Sequence, residues 1–462
     1  MLFCMSVKNR AELVSHGFMT EREIALEIIE YALRSVDPYK AVKRLIRLTN
    51  ENLLVGHLSF NLSKIGAIYV LGAGKASFPI AKALEDVLGK RIKSGVIIEK
   101  KGQKPYELKK IKVIEGGHPI PDEAGVEGAK EIVKIAKHAK EDDIVFCPLT
   151  GGASALMPLP AEGISLEDKK RVTDLLLKSG ATIQDINVVR KHISAIKGGR
   201  LAKYIHPAEI ITLTFPNMLH TAGKFWPDPT LPDPSTFQDA VLMLKKYGIW
   251  ENTPLSIKTR LQNADPGMET PKDFSGMRVH TFSVGSKEIA CKAAKKKSET
   301  LGYKSVILSS MIEGESREVG SVLACIAREI QQHGRPLEPA CTLIVGGEAK
   351  PTIEGESGEG GPNQELCLGF SLRIAGLKNT VIAAIDTDGT DGPTEIAGGI
   401  ADGLTLRRAN EKGIDLYGNL RKHNSSYVLR KLCDAIVTGP TGTHVMSLMV
   451  VVVGKDKEFA YH

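Results

Sequence analysis

Aromatic residues and paired cysteines are scarce in this 462-residue sequence, and both absences narrow the class of protein. Phe, Trp and Tyr make up 5% of the chain, whereas glycine occurs 45 times. That balance favours an α/β enzyme with many tight strand-to-helix turns over an all-β sandwich. The seven cysteines are scattered and form no Cys-x-x-Cys pair. We therefore expect reduced packing residues of a cytoplasmic protein, and neither a disulfide framework nor a zinc site.

Long apolar runs, a secretion signal and a dominant charge are also absent. The longest apolar run surrounds Leu448 to Val453, whereas a membrane-spanning helix needs about 20 apolar residues. Lys8 and Arg10 follow the first apolar residues too closely for a signal peptide. The net charge of +7, from 61 basic and 54 acidic residues, is a weak excess over this length. We therefore expect neither a membrane nor a nucleic-acid partner.

The order of predicted elements indicates two α/β domains with a cleft between them. Two helices are predicted in the first 50 residues, and Thr20-Glu-Arg-Glu23 is a capping box that opens the first. From residue 65 strands and helices alternate, as the crossovers of a parallel sheet require. The proline-rich stretch from Pro227 to Pro254 indicates a surface connector. A second α/β block begins near residue 278, with strands predicted at 280–284, 305–309, 341–345, 381–385, 435–438 and 448–453.

Three aspartates directly follow the predicted buried strand Thr380 to Ile385. They are Asp386, Asp388 and Asp391, and two glycines lie among them. The glycines allow sharp turns, so the carboxylates can converge on one point. Such hard oxygen ligands suit Mg²⁺, and the carboxyl edge of an open α/β sheet is where ligands bind. The alternative interpretation is a solvated acidic turn.

A glycine loop, Gly72-Ala-Gly-Lys-Ala-Ser77, lies between a predicted strand and a predicted helix. A helix N-terminus at this place can receive an anion. A dinucleotide oxidoreductase would use Gly-x-Gly-x-x-Gly with an acidic residue after the next strand, where Glu99 stands. Here Ser77 replaces the third glycine, and Lys75 suits a phosphoryl group in transfer. Both enzyme classes remain open at this loop.

Two further segments could bind a small anion. Gly151, Gly152 and Ser154 follow a predicted buried strand, and such a turn can form an anion-binding nest. Arg190 and Lys197 are seven residues apart and would share one face of a continuous helix. Two cations on one face suit a carboxylate or a phosphate. The alternatives are a plain tight turn and an ordinary basic surface helix.

The second block offers two more glycine-rich turns. A glycine-rich loop precedes a helix that is predicted to open at Asn363, and the turn Gly439-Pro-Thr-Gly-Thr443 contains Thr441 and follows a strand. Either could receive an anion at a strand or helix end. Glycine-rich strand ends therefore occur in both halves of the chain.

Taken together, these segments resemble the glycerate kinase family that phosphorylates D-glycerate at the 2-hydroxyl and carries a MOFRL C-terminal domain. The matching segments run in family order: Gly72-Ala-Gly-Lys-Ala-Ser77, Gly117-His-Pro-Ile-Pro-Asp-Glu-Ala-Gly125, Pro160-Ala-Glu-Gly-Ile-Ser-Leu-Glu-Asp168, Asn187-Val-Val-Arg-Lys-His192, Lys197-Gly-Gly-Arg200, Asn363-Gln-Glu365, Asp386-Thr-Asp-Gly-Thr-Asp-Gly-Pro393 and Gly439-Pro-Thr-Gly-Thr443. They span residues 20 to 453 or so, nearly the whole chain.

The resemblance implies a large Rossmann-like three-layer domain over residues 1–260 and a smaller MOFRL-type α/β domain over 261–462. ATP, Mg²⁺ and D-glycerate would meet in the cleft, and a homodimer is one assembly the resemblance allows. Lys75, Asp386 and Asp388 would be catalytic, and Asp386 with Asp391 would hold the metal. The implied substrate- and phosphate-binding residues are Gly72, Gly74, Ser77, Gly151, Gly152, Ser154, Arg190, Lys197, Asn363 and Thr441.

Several positions depart from the usual family residues. Pro216 stands at an acidic position, Pro362 at an arginine, His444 at an asparagine and Ser447 at an aspartate. A lost carboxylate or arginine in a phosphoryl-transfer site would weaken transition-state stabilisation. Two alternatives therefore stand beside the kinase: a catalytically impaired or altered-substrate relative that binds nucleotide or a small acid, and a hydroxypyruvate reductase.

Overall fold

A computed structural model describes residues 5–102, 107–215, 228–264 and 266–455 of the chain. The chain divides into two compact units, and we call residues 38–284 the central unit and residues 1–37 with 285–462 the flanking unit. The predicted boundary lay at 260/261, whereas the units divide at 37/38 and 284/285. The N-terminal segment belongs to the flanking unit because its helices pack on the C-terminal sheet.

The N-terminal segment of the flanking unit contains α1 (Arg10–Leu13) and α2 (Met19–Ser35). The predicted capping box at Thr20 is wrong: α2 begins at Met19, and its N-cap Phe18 makes no side-chain cap hydrogen bond. Leu26, Ile29 and other apolar residues of α2 are fully buried against the C-terminal sheet. Tertiary packing therefore fixes the start of this helix where local capping does not.

The central unit contains an antiparallel hairpin sheet and a larger parallel sheet. Its strands are β1 (Ile46–Leu48), β2 (Asn52–Val55), β3 (Leu58–Asn61), β4 (Ile68–Ala73), β5 (Ile92–Lys100), β6 (Ile111–Gly116), β7 (Ile144–Pro148), β8 (Glu209–Thr214) and β9 (Val279–Ser283). Its helices are α3 (Pro38–Leu45), α4 (Ser77–Leu88), α5 (Glu123–Ala136), α6 (Ala153–Leu156), α7 (Leu166–Lys178), α8 (Ile183–His192), α9 (Arg200–Ile205), α10 (Phe237–Lys246) and α11 (Leu255–Gln262). Short 3₁₀ turns occupy Leu62–Lys64, Gly89–Arg91 and Pro266–Met268. The antiparallel sheet of β1, β2 and β3 was not predicted.

The larger sheet has the strand order β6-β5-β4-β7-β8-β9, and all its pairs are parallel. Read in chain order, this is third-second-first-fourth-fifth-sixth, the order of the doubly wound Rossmann fold. The α/β fold class with a Rossmann-like first sheet is therefore confirmed. The strand predicted at 280–284 does not open the second block, because β9 pairs with β8 as the last strand of the central sheet.

Helices cover both faces of the central sheet. Tyr69, Leu71 and Ala73 of β4 face one buried cluster, which also contains apolar residues of α5 and α9. Helix α4 also packs on β4 and β5 but contributes no residue to that cluster. Because successive strand residues point to opposite faces, α4 covers the other face. The central unit thus has three layers.

The second sheet belongs to the flanking unit and is mixed. Its order is β10-β11-β15-β12-β13-β14, in which only the β10–β11 pair is parallel. Its strands are β10 (Lys304–Ile312), β11 (Cys341–Gly347), β12 (Thr380–Asp386), β13 (Gly398–Asp402), β14 (Ala435–Ile436) and β15 (Ser447–Val453). The remaining helices are α12 (Lys287–Thr300), α13 (Ser316–His333), α14 (Pro362–Arg373), α15 (Thr405–Glu411), α16 (Leu416–Arg421) and α17 (Ser425–Leu432).

The two faces of this sheet carry separate cores. Helices α2 and α12 pack on one face and α13 and α14 on the other, so this unit is also a three-layer α/β structure. Arg22 of α2 is fully buried and pairs with Asp402 (Nε to Oδ2, 2.6 Å) and Asp434 (Nη1 to Oδ1, 2.8 Å). These pairs join the N-terminal segment to residues 402 and 434. Over the described ranges, every helix is too short or too polar to span a membrane.

Candidate functional site

The two predicted glycine loops of the central unit lie side by side. They follow β4 and β7, the neighbouring strands at which the strand order reverses, and ligands bind at that point in doubly wound sheets. The Lys75 amide donates to the carbonyl of Gly151 at 2.8 Å, and the Ala76 amide donates to Thr150 Oγ1 at 3.1 Å. The structure therefore brings these two groups of predicted residues together at one edge.

Glycine is required where the loops approach most closely. A Cβ on Gly72 would lie 2.1 Å from the carbonyl oxygen of Pro148, and a Cβ on Gly74 would lie 2.1 Å from Thr150 Oγ1. Both distances are far below van der Waals contact, so a side chain would push the strand ends apart. These two predicted binding residues thus shape the edge through their missing side chains.

The amides of the first loop are already used within the protein. The Gly74 amide donates to Ile98, the Ser77 amide to Gly74, and the Phe78 amide to Glu99 Oε1 at 2.5 Å. The buried Ser77 hydroxyl donates to the Gly74 carbonyl at 2.9 Å. The carboxyl group of Glu99 therefore occupies the N-terminus of α4, where an anion was predicted.

Glu99 is 1% exposed, and its position excludes the role that the oxidoreductase hypothesis gives it. Burial raises the pKa of this carboxyl group to about 8, so it is largely protonated at neutral pH. A ribose hydroxyl would need an accessible acidic residue. The Lys75 side chain extends from the first loop toward the second. Its Cγ would lie 3.2 Å from a Cβ atom placed on Gly152.

The second loop, in contrast, keeps donors unused. Within the described ranges, the amides of Gly151 and Gly152 donate to no protein acceptor. The Ser154 hydroxyl is buried and has no hydrogen-bond partner among those residues. Lys197 Nζ donates to the Ser154 carbonyl at 3.0 Å. Unsatisfied donors beside a buried ammonium group are the features of an anion-binding pocket.

Arg190 and Lys197 reach this region without sharing a helix. The predicted continuous helix is wrong, because α8 ends at His192 and Gly198 and Gly199 adopt φ values of 60° and 80°. The two cations are nevertheless close enough to interact. Burial, followed by the positive charges of Lys169 and Arg190, lowers the pKa of Lys197 far below its ordinary range.

Lys169 is a third buried cation, and no prediction named it. Its Nζ donates to the Pro158 carbonyl at 2.8 Å, and its pKa is lowered by burial and then by the charge of Arg190. The signal was present in the sequence: Lys169 shares the inward face of α7 with Val172 and Leu176, at i, i+3 and i+7.

Burial disfavours the charged forms of all three basic side chains, and an anion beside them would favour those forms. Burial lowers the pKa of Arg190 to about 10, and in the part of the chain that the structure describes no carboxylate pairs with Arg190 or Lys169. Asp228 offsets part of the charge of Lys197. Buried charges are costly unless they are paired. We use the word pocket for the group of Gly151, Gly152, Ser154, Lys169, Arg190 and Lys197, which Lys197 joins through its bond to Ser154 and through its electrostatic interaction with Lys169 and Arg190. Such a group favours an anionic ligand.

In the flanking unit, the aspartate loop forms a second site at the end of β12. The Asp388 amide donates to Asp386 Oδ1 at 3.1 Å, and Thr390 donates to Asp388 Oδ1 through its amide (2.8 Å) and hydroxyl (2.9 Å). His444 Nδ1 lies 3.8 Å from Asp386 Oδ1 and 3.7 Å from Asp388 Oδ2. One ligand atom from each of the three residues falls within 4.8 Å of the others. His444 was not predicted as a ligand.

Asp391, the third aspartate, faces the N-terminus of α14. It accepts hydrogen bonds from the Asn363 amide (3.1 Å), Asn363 Nδ2 (2.9 Å) and the Gln364 amide (3.0 Å). Burial raises its pKa to about 7. Both carboxylate oxygens of Asp391 accept hydrogen bonds from the first turn of α14. Asp391 therefore lies outside the group formed by Asp386, Asp388 and His444. It also fills the predicted anion site at this helix start.

The departures at 362 and 447 fit this arrangement. Pro362 occupies the first turn of α14, where its missing N–H is not needed. Asn363 Nδ2 donates to Ser447 Oγ at 2.9 Å as well as to Asp391, so its predicted phosphate role would have to break this network. Pro216 lies outside the described residues.

Thr441 holds the neighbouring turn in place. Its hydroxyl donates to the Thr387 carbonyl at 2.5 Å, and its amide donates to the Asp388 carbonyl at 3.2 Å. A Cβ on Gly389 would lie 2.1 Å from the Gly439 carbonyl oxygen, so the two loops are in direct contact. In this position Thr441 supports the aspartates.

Both halves of the chain match known protein families. A domain of unknown function, DUF4147, matches residues 24–262, and the MOFRL family matches residues 341–447. A glycerate 2-kinase from Pyrococcus horikoshii is 44% identical, over 94% of this chain and 98% of its own. A D-glycerate 2-kinase from Thermotoga maritima is 35% identical, over 93% of this chain and 97% of its own.

The solved structures agree in fold. A crystal structure of glycerate kinase from Thermotoga maritima superposes with a TM-score of 0.80 at 34% identity, over 93% of this chain and 99% of the other. A relative from Agrobacterium vitis, 34% identical over 84% of this chain and 100% of its own, carries a hydroxypyruvate reductase name. The predicted family resemblance is thus confirmed, and the reductase name recurs among the relatives.

Proposed function

The chain belongs to the glycerate kinase family, and we therefore propose that it transfers the terminal phosphoryl group of ATP to the 2-hydroxyl group of D-glycerate. The observation that carries the proposal is the buried cationic pocket of the central unit. A small hydroxy acid presents a carboxylate, and the pocket combines unused hydrogen-bond donors with buried basic side chains whose charged forms an anion would stabilise. Such a pocket suits an anionic substrate better than a neutral one.

Within the pocket, we assign Arg190 to the carboxylate of the substrate. A guanidinium group offers two parallel N–H donors to a carboxylate, and such charge-assisted pairs are the strongest hydrogen bonds in proteins. The Gly151 and Gly152 amides and the Ser154 hydroxyl are the complementary neutral donors. Lys197 donates to the Ser154 carbonyl, and a bound anion would favour its charged form.

Lys75 is the group that we assign to the phosphoryl group in transfer. Its backbone is fixed by the bond to Gly151, and its side chain runs past Gly152. A positioned ammonium group stabilises the negative charge that develops on the phosphoryl oxygens. As the hydroxyl oxygen attacks phosphorus, the bond from phosphorus to the bridging oxygen breaks, ADP leaves and the hydroxyl proton is released.

Mg²⁺ belongs to the same proposal. Asp386 and Asp388 would hold it, since their carboxylate oxygens converge with His444, and Mg²⁺ bound by one or two carboxylates supplies charge neutralisation for the phosphates of ATP. Asp391 is left out because it caps α14. The cleft between the domains, the homodimer and the cytoplasmic location remain predictions.

An ADP-release assay tests the proposal. Purified protein with ATP, Mg²⁺ and D-glycerate should release ADP, and L-glycerate should be a poor substrate. Lys75→Met should lower kcat by about 10²- to 10³-fold, the usual effect of removing one transition-state stabiliser. The matched control is Lys82→Met, on α4 and paired with Asp86, which should leave kcat unchanged. No ADP release above background would contradict the proposal.

The two alternatives give different results in simple assays. An impaired relative would bind ATP or glycerate in calorimetry without turnover. The relative from Agrobacterium vitis carries a hydroxypyruvate reductase name, so a reductase is the second alternative. That function would appear as oxidation of NADH or NADPH with hydroxypyruvate. Burial of Glu99 and the hydroxyl of Ser77 at the third glycine position both disfavour the reductase.

A further inference from the structure

His444 lies beside the two aspartates, on a segment whose neighbouring residues are bonded to the aspartate loop. The Val445 amide donates to Thr387 Oγ1 at 2.8 Å, and the Met446 carbonyl accepts from the Thr387 hydroxyl (2.7 Å) and amide (3.1 Å). Thr443 Oγ1 donates to the Val36 carbonyl on the other side of His444. These bonds on both sides position the backbone of His444 at the end of β12.

The imidazole nitrogen that faces the aspartates is unsatisfied. Nδ1 of His444 is buried and makes no hydrogen bond to any described residue, and its distances of 3.7 and 3.8 Å to the two carboxylates exceed hydrogen-bond length. Buried ring nitrogens are normally paired. An unpartnered nitrogen that faces two carboxylates is a donor set that a cation could bind.

The spacing fits a metal ion. Ligand nitrogen and oxygen atoms at about 2.1 Å from a metal lie about 3.0 Å apart at a right angle and about 3.5 Å apart at a tetrahedral angle. The observed 3.7 and 3.8 Å would have to close by about 0.3 Å for a tetrahedral angle and by about 0.7 Å for a right angle. Two carboxylates also balance the charge of a divalent ion, and a neutral imidazole completes the donor set without adding charge.

We propose that Asp386, Asp388 and His444 form a divalent metal site that prefers a first-row transition metal, with Mn²⁺ as the probe, to Mg²⁺. Mg²⁺ favours oxygen ligands and releases its water reluctantly, whereas imidazole nitrogen binds transition metals better. The histidine gives this site a nitrogen ligand beside two carboxylates, in contrast to an all-oxygen Mg²⁺ site. The role of the metal in turnover rests on the proposed function, but the metal preference does not.

Metal binding measured directly tests this inference. Chelator-treated protein is titrated with Mn²⁺ and followed by electron paramagnetic resonance, and Mg²⁺ is then added as competitor. The expected result is one Mn²⁺ site that Mg²⁺ displaces only at an excess of at least ~10-fold, because Mg²⁺ favours all-oxygen coordination and gives up its water reluctantly. Displacement by an equal amount of Mg²⁺ would overturn the inference.

Variants locate the site and separate it from folding. His444→Asn should lower Mn²⁺ affinity ~10-fold or more, in the range of effects seen when metal coordination is perturbed, and should leave Mg²⁺ affinity unchanged. His333→Asn is the matched control, because His333 is an exposed histidine at the end of α13, and it should bind Mn²⁺ like the parent. Equal Mn²⁺ affinity in parent and His444→Asn, with matching thermal midpoints, would overturn the inference.

The outcome is independent of the kinase assay. A chain that releases ADP with Mg²⁺ but shows no Mn²⁺ preference would refute the metal site and retain the proposed function. A chain that binds Mn²⁺ through His444 but phosphorylates no glycerate with either metal would retain the metal site and refute the proposed function.

Discussion

Replacement of Arg190 by methionine should weaken glycerate binding and at the same time stabilise the folded chain. Burial lowers the pKa of Arg190 from 12.5 to about 10, which corresponds to about 3 kcal/mol against the charged form at about 1.4 kcal/mol per pH unit. Arg190 keeps part of its surface accessible, so we expect methionine to recover about 1–3 kcal/mol. In a unit of this size that gain raises the thermal midpoint by about 2–10 °C.

The loss of D-glycerate binding follows from the proposed contact between the Arg190 guanidinium group and the substrate carboxylate. A charge-assisted pair between guanidinium and carboxylate is worth about 1.5–3 kcal/mol, so the KM for D-glycerate should rise about 10- to 150-fold. The KM for ATP should change little if Arg190 binds the acid alone. Initial rates of ADP release and thermal unfolding of the same preparation measure both effects.

Arg171→Met provides the control for both measurements. Arg171 is exposed on α7, the helix that carries Lys169, and a surface change of this kind is usually worth less than about 0.5 kcal/mol. A purely structural Arg190 would give the opposite pattern in the Arg190→Met protein: a lower thermal midpoint with an unchanged KM. That result would refute the assignment of the pocket to substrate binding.

Three further changes test the stability of the units. Because the pKa of Glu99 is raised to about 8 from 4.5, the native state binds an extra proton between these values, and unfolding free energy should fall by a few kcal/mol as pH rises from 5 to 8; Glu99→Gln should reduce that slope in urea titrations, leaving the contribution of Asp391. Asp391→Ala leaves three donors of α14 without their acceptor and should cost about 1–3 kcal/mol, seen as a lower urea midpoint. Arg22→Met leaves Asp402 and Asp434 buried without this partner and should cost about 3–5 kcal/mol; an unchanged thermal midpoint would show that the pair contributes nothing.

The sequence predicts strands well where apolar residues are continuous and poorly where glycine forms them. The predicted strands at 341–345, 381–385 and 448–453 coincide with β11, β12 and β15. Strand β13 was missed because it opens with Gly398 and Gly399, and glycine is depleted in strands. A Cβ on Gly398 would lie 1.9 Å from the Ala384 carbonyl oxygen. Only the tertiary contact explains why this segment pairs.

The candidate site was predictable in position but not in chemistry. Loops at the ends of parallel strands meet at one edge of a sheet, so Lys75 and Ser154 were expected there. Sequence could not show that Glu99 occupies the helix start at the first loop, because that depends on the depth at which the carboxyl group is buried. It also could not show that Asp391 turns to α14 while His444 joins the other two aspartates.

The identity of the phosphorylated product tests the central claim most directly. D-glycerate and ATP are incubated with the purified protein and either Mg²⁺ or Mn²⁺, and the product is identified by phosphorus NMR through its coupling to the proton on carbon 2. The expected product is 2-phosphoglycerate, formed in proportion to ADP. Formation of 3-phosphoglycerate, or ADP without any phosphorylated glycerate, would contradict a glycerate 2-kinase.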